Sequence, residues 1–412
     1  MKKLILAYIL FLSIPLFSQT ATGDIETYIG SIINNVPGSS EENFESPNST
    51  QLSNWNTVIN FLLENDIANA RTKANGFDYQ VTEFTDTSIS PNQIFYVLEK
   101  KSISSNYWGT YVFSKTPTRN NLIIQAPHIK NDTNTGQQAV HCFKNTLARA
   151  VFISGTHRCN SNRFSSCSGT TSTCNSGSQS FRVSDMAHNV TTMFQKTTEN
   201  LFANISNSVF IQLHGFGKKS TDPYVIMSNG TRKTPTTDYA TLIKNALLNE
   251  DSSLTFQLAH INTSWTRLIG FTNTQGRLIN NSSNHCSSSA TNTSGRFIHI
   301  EQEKIKLRNN SSGWVKMSNA LANVFSSTLG SEDFNLNTSI FISPNPTSGT
   351  VLIRAKEVHQ IEIYNLYGQR IRIKKMNSKN NPSIDLNKES SGIYYFKIKT
   401  NDGFALKKAI RF

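Results

Sequence analysis

Histidine, aspartate, arginine and glutamate stand directly behind apolar runs at five places along this 412-residue chain. Pro127-His128 follows Leu122–Ala126, with Asp132 four residues further on. His157 and Arg158 come just after Ala150–Ser154, His214 after Val209–Leu213, and His260 after Leu254–Ala259. Glu301 closes the run Phe297–Ile300, and Glu303 lies two residues beyond. Imidazole nitrogens and carboxylate oxygens bind divalent metals, and three protein ligands with an open fourth position describe a catalytic zinc site. His128 and Asp132 offer a nitrogen and an oxygen from one short loop. His214, 86 residues later, is the candidate third ligand. Water on such an ion becomes nucleophilic near neutral pH, and Glu301 is the candidate base for its proton. Arg158 is the candidate cation for an oxyanion or a substrate carboxylate. One Zn2+ is the expected cofactor.

Other chemistries lack their signatures. No G-x-S-x-G elbow is present for a serine α/β-hydrolase, and neither a Walker loop nor G-x-G-x-x-G for a nucleotide. A phosphoesterase is less well matched, because one metal cluster favours amide hydrolysis. The formal charge of +13 does not point to nucleic acid. Lys2 and Lys3 supply two of those charges, and residues 338–412, with 13 Lys+Arg against 5 Asp+Glu, supply eight. The body between them is nearly neutral, without the concentrated basic face that phosphate binding needs.

The elements that must position these residues alternate. Trp55, Val58, Ile59, Leu62, Leu63, Ile67 and Ala70 fall at helical spacing and predict one N-terminal amphipathic helix. Extended segments at Tyr79–Thr85, Phe95–Lys100 and Gly109–Ser114 precede the five apolar runs. Helical stretches at Gly136–Arg149, Val190–Ile205 and Thr237–Leu248 lie between them. Apolar strands alternating with helices predict an α/β fold, a mainly parallel sheet with helices on both faces. Ligands of such sheets sit beyond the carboxyl ends of the strands, where the polar residues collect.

Lys2-Lys3 followed by apolar Leu4–Phe17 reads as a signal peptide over residues 1–19. No later apolar run approaches the ~18 residues of a transmembrane span, so no integral membrane span is expected in the mature chain. In an oxidising compartment the five cysteines imply two disulfides and one spare thiol. Cys142 lies on an apolar helical stripe and reads as core. Cys159, Cys167, Cys174 and Cys286 are the disulfide candidates, with three pairings open.

From about Thr338 the pattern changes to short alternating strands at Thr350–Ala355, Gln360–Tyr364, Ile393–Lys399 and Phe404–Phe412, a small C-terminal β-sandwich. An exposed linker is expected near Glu332–Thr338. Ser343-Pro-Asn-Pro-Thr-Ser-Gly, Ile363-Tyr-Asn-Leu-Tyr-Gly-Gln, Ser391-Gly-Ile-Tyr-Tyr-Phe-Lys and Lys407-Lys-Ala-Ile-Arg carry a resemblance to the C-terminal sorting domain of the type IX secretion system of Bacteroidetes. That resemblance implies export by Sec and then by the type IX machinery, to the medium or the cell surface, usually with removal of the tail.

The body resembles phage-type poly-γ-glutamate hydrolases, whose fold is akin to zinc carboxypeptidases and N-formylglutamate amidohydrolases. Pro127-His128 through Asp132-Thr-Asn-Thr-Gly-Gln-Gln-Ala is similar to their first metal loop, with Asp132 in place of the usual Glu and the loop one residue shorter. Leu213-His214-Gly resembles their third-ligand segment. Phe297-Ile-His-Ile-Glu301-Gln-Glu-Lys with Arg308 is similar to the strand bearing their catalytic Glu and the helix after it. The resemblance implies zinc at His128, Asp132 and His214 with Glu301 as base. It also implies an Asn-Arg pair for the substrate carboxylate, and this chain has Arg158 and Asn160 in a different order.

Weaker candidates for substrate contact are His157, Asn160, His188, Asn189, His260 and Arg277. Ser184 or Asp185 reads equally well as a helix cap. The domain reading is a signal peptide over residues 1–19, lead-in elements over 20–120, an α/β metallohydrolase domain over 121–330 and the sorting sandwich over 338–412. The expected protein is a secreted zinc-dependent amidase or carboxypeptidase-like peptidase acting on a peptide or γ-glutamyl-type substrate. The alternative is a non-catalytic surface adhesin that retains the fold.

Overall fold

A computed structural model describes residues 19–325, 340–400 and 403–412. The expected signal peptide, apart from its last residue, and the expected linker near Glu332–Thr338 lie outside the described residues. The chain divides into two units, residues 1–326 and 327–412.

In the first unit Ile25, Ile29 and Ile33 recur every fourth residue and form the buried stripe of α1 (Ile25–Asn34), which Asp24 caps by accepting from the Glu26 amide. The helix expected over Trp55–Ala70 is two helices, α2 (Ser49–Leu63) and α3 (Ile67–Asn75). Asn65 between them takes a left-handed conformation, φ 60°, and Asp66 caps the second helix through the Asn69 amide. A polar Asn-Asp pair can thus restart a helix inside an apolar period that runs on across the break.

Ten strands form one sheet: β1 (Thr20–Gly23), β2 (Tyr79–Asp86), β3 (Gln93–Lys100), β4 (Thr110–Ser114), β5 (Arg119–Ala126), β6 (Ala148–Ile153), β9 (Val209–Gly215), β10 (Val225–Ser228), β11 (Phe256–Leu258) and β12 (Phe297–Gln302). A two-residue hairpin, β7 (Thr170–Thr171) and β8 (Gln179–Ser180), stands apart. The order across the sheet is β1-β2-β3-β4-β6-β5-β9-β12-β10-β11. Five of its nine pairings are parallel, including the whole central block from β6 to β12. The run read at Leu254–Ala259 is only a three-residue edge strand, and β10, too short to stand out in the sequence, intervenes antiparallel to β12.

Helices cover both faces. On one, α1, α4 (Thr135–Thr146), α6 (Tyr239–Glu250) and α8 (Ser311–Val324) pack on Leu122, Ile124, Ile211, Leu213, Ile298 and Ile300. On the other, α2, α5 (Met193–Asn204) and α7 (Thr274–Ile279) pack on Ile123, Phe152, Phe210 and Phe297. Strand side chains alternate between faces. The second face therefore runs from Ile123, Phe210 and Phe297 to Gln125, Gln212 and His299, and then to His214 and Glu301. It turns from apolar to polar toward the carboxyl ends.

The second unit is an antiparallel sandwich. One sheet holds β13 (Phe341–Ser343), β14 (Thr350–Arg354) and β17 (Ser383–Asp385). The other has β16 (Arg370–Lys379), β15 (Val358–Tyr364), β18 (Gly392–Thr400) and β19 (Gly403–Arg411) in that order. Val351, Ile353, Ile361, Ile363, Phe396 and Ile398 alternate inward from the two sheets to make its core. No helix among the described residues is long and apolar enough to cross a membrane.

Candidate metal centre and active-site cleft

The loop after β5 is a helical turn, with the Asp132 amide donating to the His128 carbonyl at 2.8 Å. Residues four apart on such a turn are neighbours, so His128 and Asp132 face the same way. His214 reaches them from the end of β9. The three side chains meet as a triangle. His128 Nδ1 and His214 Nδ1 are 3.1 Å apart. Asp132 Oδ2 is 3.3 Å from the latter and 3.4 Å from the former. All three residues are at least nine-tenths buried.

The outer nitrogens fix the tautomers. His214 Nε2 lies 2.7 Å from Gln212 Oε1, an atom that only accepts, so the proton sits on Nε2. His128 Nε2 lies 2.9 Å from Asp185 Oδ1 and donates for the same reason. Both Nδ1 atoms and a carboxylate oxygen thus converge on one point. Burial and Arg158 would lower His128, but Asp185 and Asp132 carry it above its ordinary value. Burial above all, helped by His128 and Arg158 and opposed by Asp132, holds His214 neutral, down to about 4. Asp132 is held well below the usual carboxylate range, because the His128 and His214 rings beside it outweigh its burial. A cation suits this triangle. Tetrahedral bonds of ~2.0–2.2 Å put neighbouring donors about 3.3–3.6 Å apart, close to the spacing seen. The donor set, two imidazoles and a carboxylate, suits zinc.

Gln212 is itself held. Its amide donates to Gln125 Oε1 at 2.8 Å and to Gln275 Oε1 at 3.1 Å, and Asn273 donates to its carbonyl. Gln275 in turn donates to Gln195 Oε1 at 2.8 Å. This buried amide network fixes the imidazole above it.

Asp185 does not cap a helix, since Thr192 caps α5. Its Oδ1 accepts from His128 Nε2 and, at 2.9 Å, from His188 Nδ1. Its Oδ2 accepts from Arg158 Nε at 2.9 Å and from Arg158 Nη2. Burial would raise this carboxyl, but Arg158, His188 and His128 hold it well below its ordinary value. Arg158 is thereby aimed, with Nη1 3.5 Å from His128 Nδ1 at the rim of the triangle. Ser184 accepts from the Ser161 amide and donates to the Arg158 carbonyl, which holds the two loops together.

Glu301 pairs in register with His214 across β12 and β9. Its Oε2 is buried and unpartnered, and Oε1 stands 3.7 Å from His299 Nε2. Burial, and then the negative Asp132, push Glu301 up to about 8. Arg308 braces the floor by donating to the carbonyls of Gln302, Phe216 and Thr133. Gly215 is what lets it pass: a Cβ there would lie 2.4 Å from the guanidinium carbon. Gly215→Ala is therefore expected to cost about 1–3 kcal/mol of stability by overpacking, read as a lower Tm in thermal melts. An unchanged Tm would mean that Arg308 swings aside freely.

His128, Asp132, Arg158, His214 and Glu301 line one cleft of about 570 Å³ with His188, Phe181, Phe216 and the threonines of the β7–β8 hairpin. The loop that carries the hairpin is stapled by Cys159–Cys174 and Cys167–Cys286, and Cys142 is free and buried. His188, stacked on Phe181 with ring centres 3.7 Å apart, is in the cleft wall. The other proposed contacts are not among the cleft-lining side chains. Asn160 accepts from the Phe44 amide and donates to the Gly38 carbonyl. Asn189 bridges Val183 and Thr191, and Arg277 ties Phe271, Ser168 and Cys286. His260 pairs with Asp238 at 2.9 Å, and His157 accepts from the Cys159 amide. All five serve the local fold. Asp185 was read as a helix cap or part of a substrate-contacting loop, and Gln212 and His299 were not singled out in the sequence. For the latter two a signal existed, since each lies two residues before a singled-out strand residue and hence on the same face.

Residues 341–411 match the family described as the secretion system C-terminal sorting domain. The chain is therefore a type IX secretion substrate, secreted or attached at the cell surface. No curated protein matches it. Among solved structures, N-formylglutamate amidohydrolase from Ralstonia eutropha JMP134 aligns at 9% identity over 50% of this chain and 91% of that one, with a TM-score of 0.29. A candidate metallopeptidase from Shewanella amazonensis SB2B aligns at 13% identity over 66% and 94%, with a TM-score of 0.27. The CBM51-2 and INT domains of Clostridium perfringens ZmpB align at 18% identity over 16% of each chain, with a TM-score of 0.13. Likenesses this slight carry no argument about chemistry.

Proposed function

We propose that this chain is a secreted, zinc-dependent amide hydrolase acting on a substrate that bears a free carboxylate. The observation that carries the reading is the buried triangle of His128, Asp132 and His214, with both imidazoles oriented from behind by Asp185 and Gln212. His128, Asp132 and His214 would hold the ion, whose chemistry when bound is Lewis-acid polarisation of a carbonyl and acidification of water. The remaining work falls to this chain's own side chains. Attack of water on the amide carbonyl releases a proton, which Glu301, in the ionised form that a cation held by His128, Asp132 and His214 would favour, takes on its unpartnered Oε2. The same carboxyl then delivers that proton to the departing nitrogen as the C–N bond breaks. Arg158, anchored through Nε and Nη2, keeps Nη1 for the substrate carboxylate or the developing oxyanion.

The test is a panel of dipeptides, γ-glutamyl dipeptides and N-acyl amino acids, each paired with its carboxamide. Hydrolysis is expected for free acids, with kcat/KM about ten- to hundredfold lower for the carboxamides, the worth of one charged hydrogen bond. Zinc-loaded protein that cleaves none of them, or that ignores the carboxylate, would remove this reading.

A further inference from the structure

The chain leaves the cleft at Gly217, and the next residues line a second concavity of about 340 Å³ formed by Lys218, Lys219, Ser220, Tyr224, Glu303, Ile305 and Lys306. Lys218 Nζ lies 5.1 Å and Lys306 Nζ 4.6 Å from the centre of the same Tyr224 ring. One aromatic ring therefore holds two ammonium groups, each drawn to its π electrons, although like charges repel. Among the described residues no ion pair joins Lys218, Lys219 or Lys306 to an acid. The two carboxylates nearby are already occupied. Glu303 accepts from the Ile305 amide at 2.8 Å and the Lys306 amide at 3.2 Å. Asp222 accepts from the Lys219 amide at 2.8 Å and pairs with Arg267 at 3.1 Å. Lys218 Nζ donates to the Lys219 carbonyl at 3.3 Å, and Lys306 Nζ to Ser253 Oγ. An ammonium has three donors, so each of these two retains some. Lys219 adds a third ammonium and Ser220 a hydroxyl.

We infer that this concavity is an oxyanion-binding site for phosphate or clustered carboxylate groups, held between Lys218, Lys219 and Lys306. Its volume falls in the range of about 300–1,000 Å³ typical of small-ligand pockets. Three lysines against the single carboxylate of Glu303 leave the concavity net positive, and such an excess raises the local concentration of anions. The site does not depend on hydrolysis in the neighbouring cleft.

Calorimetric titration of the full chain at low ionic strength tests it, with inorganic phosphate in one arm and α-linked tetraglutamate in the other. Saturable binding is expected in at least one arm, and the arm that binds tells phosphate from a carboxylate chain. Lys218→Ala/Lys306→Ala should weaken it by roughly tenfold or more at an unchanged Tm, and added sodium chloride should weaken it in the wild type. His214→Ala, altered only in the cleft, should bind as the wild type does. No saturable binding in either arm would overturn the site. Binding that survives the double lysine substitution, or that is lost in His214→Ala, would overturn it equally.

Discussion

Glu301→Gln is expected to leave the protein folded and its metal content intact while lowering turnover by about 10²–10⁴-fold, the usual worth of a positioned acid–base group. The amide has the shape of the carboxyl but cannot take up a proton. Metal content should hold, because the triangle is made by His128, Asp132 and His214 and not by Glu301. KM should change little, since Arg158 and the cleft walls do the holding in this account. Glu303→Gln is the control. The strand ends at Gln302, and Glu303 turns away to cap the following π-helical turn, Lys304–Arg308, where it accepts two backbone amides. Its substitution should therefore lower stability and leave chemistry alone. Full activity in Glu301→Gln would remove the base from the mechanism and favour a binding role for the fold.

Asp185→Ala is expected to weaken zinc affinity by about 10–100-fold, as loss of a carboxylate behind a ligating imidazole does, without touching a ligand. The reason is geometric. Asp185 is the acceptor that keeps the His128 proton on Nε2, and it also anchors Arg158 and His188. Without it the imidazole can turn or change tautomer, and Arg158 loses its fixed aim. Competition with a chromophoric chelator reads the affinity, and KM for a carboxylate substrate should rise as well. An unchanged zinc affinity would mean that packing alone orients His128.

What could be read in the sequence depended on periodicity. His214 and Glu301 were legible because each ends an apolar strand, where a period of two fixes the face it must take. His128 and Asp132 were legible because a short loop at four-residue spacing has few ways to keep both ligands apart. Asp185 was not, since residues 155–189 form a polar loop without periodicity whose course is set by two disulfides and by long-range hydrogen bonds. Cysteine counting foretold two bridges but left open which sulfurs pair. Asn160, Asn189 and Arg277 looked chemical because they are polar among polar residues, yet a loop of this length needs buried side chains to satisfy its own backbone. β10 escaped notice because four residues carry almost no pattern. The α2–α3 break escaped because the apolar period crosses it.

The central claim is that His128, Asp132 and His214 form a metal centre, and metal content measures it most directly. Full-length protein, loaded with zinc, desalted and analysed by elemental mass spectrometry, should retain one zinc per chain. His128→Ala and His214→Ala should each retain next to none, because two remaining ligands do not hold zinc firmly. Circular dichroism should show all three proteins folded. Wild-type protein that keeps no zinc, or histidine variants that keep as much as the wild type, would contradict the account.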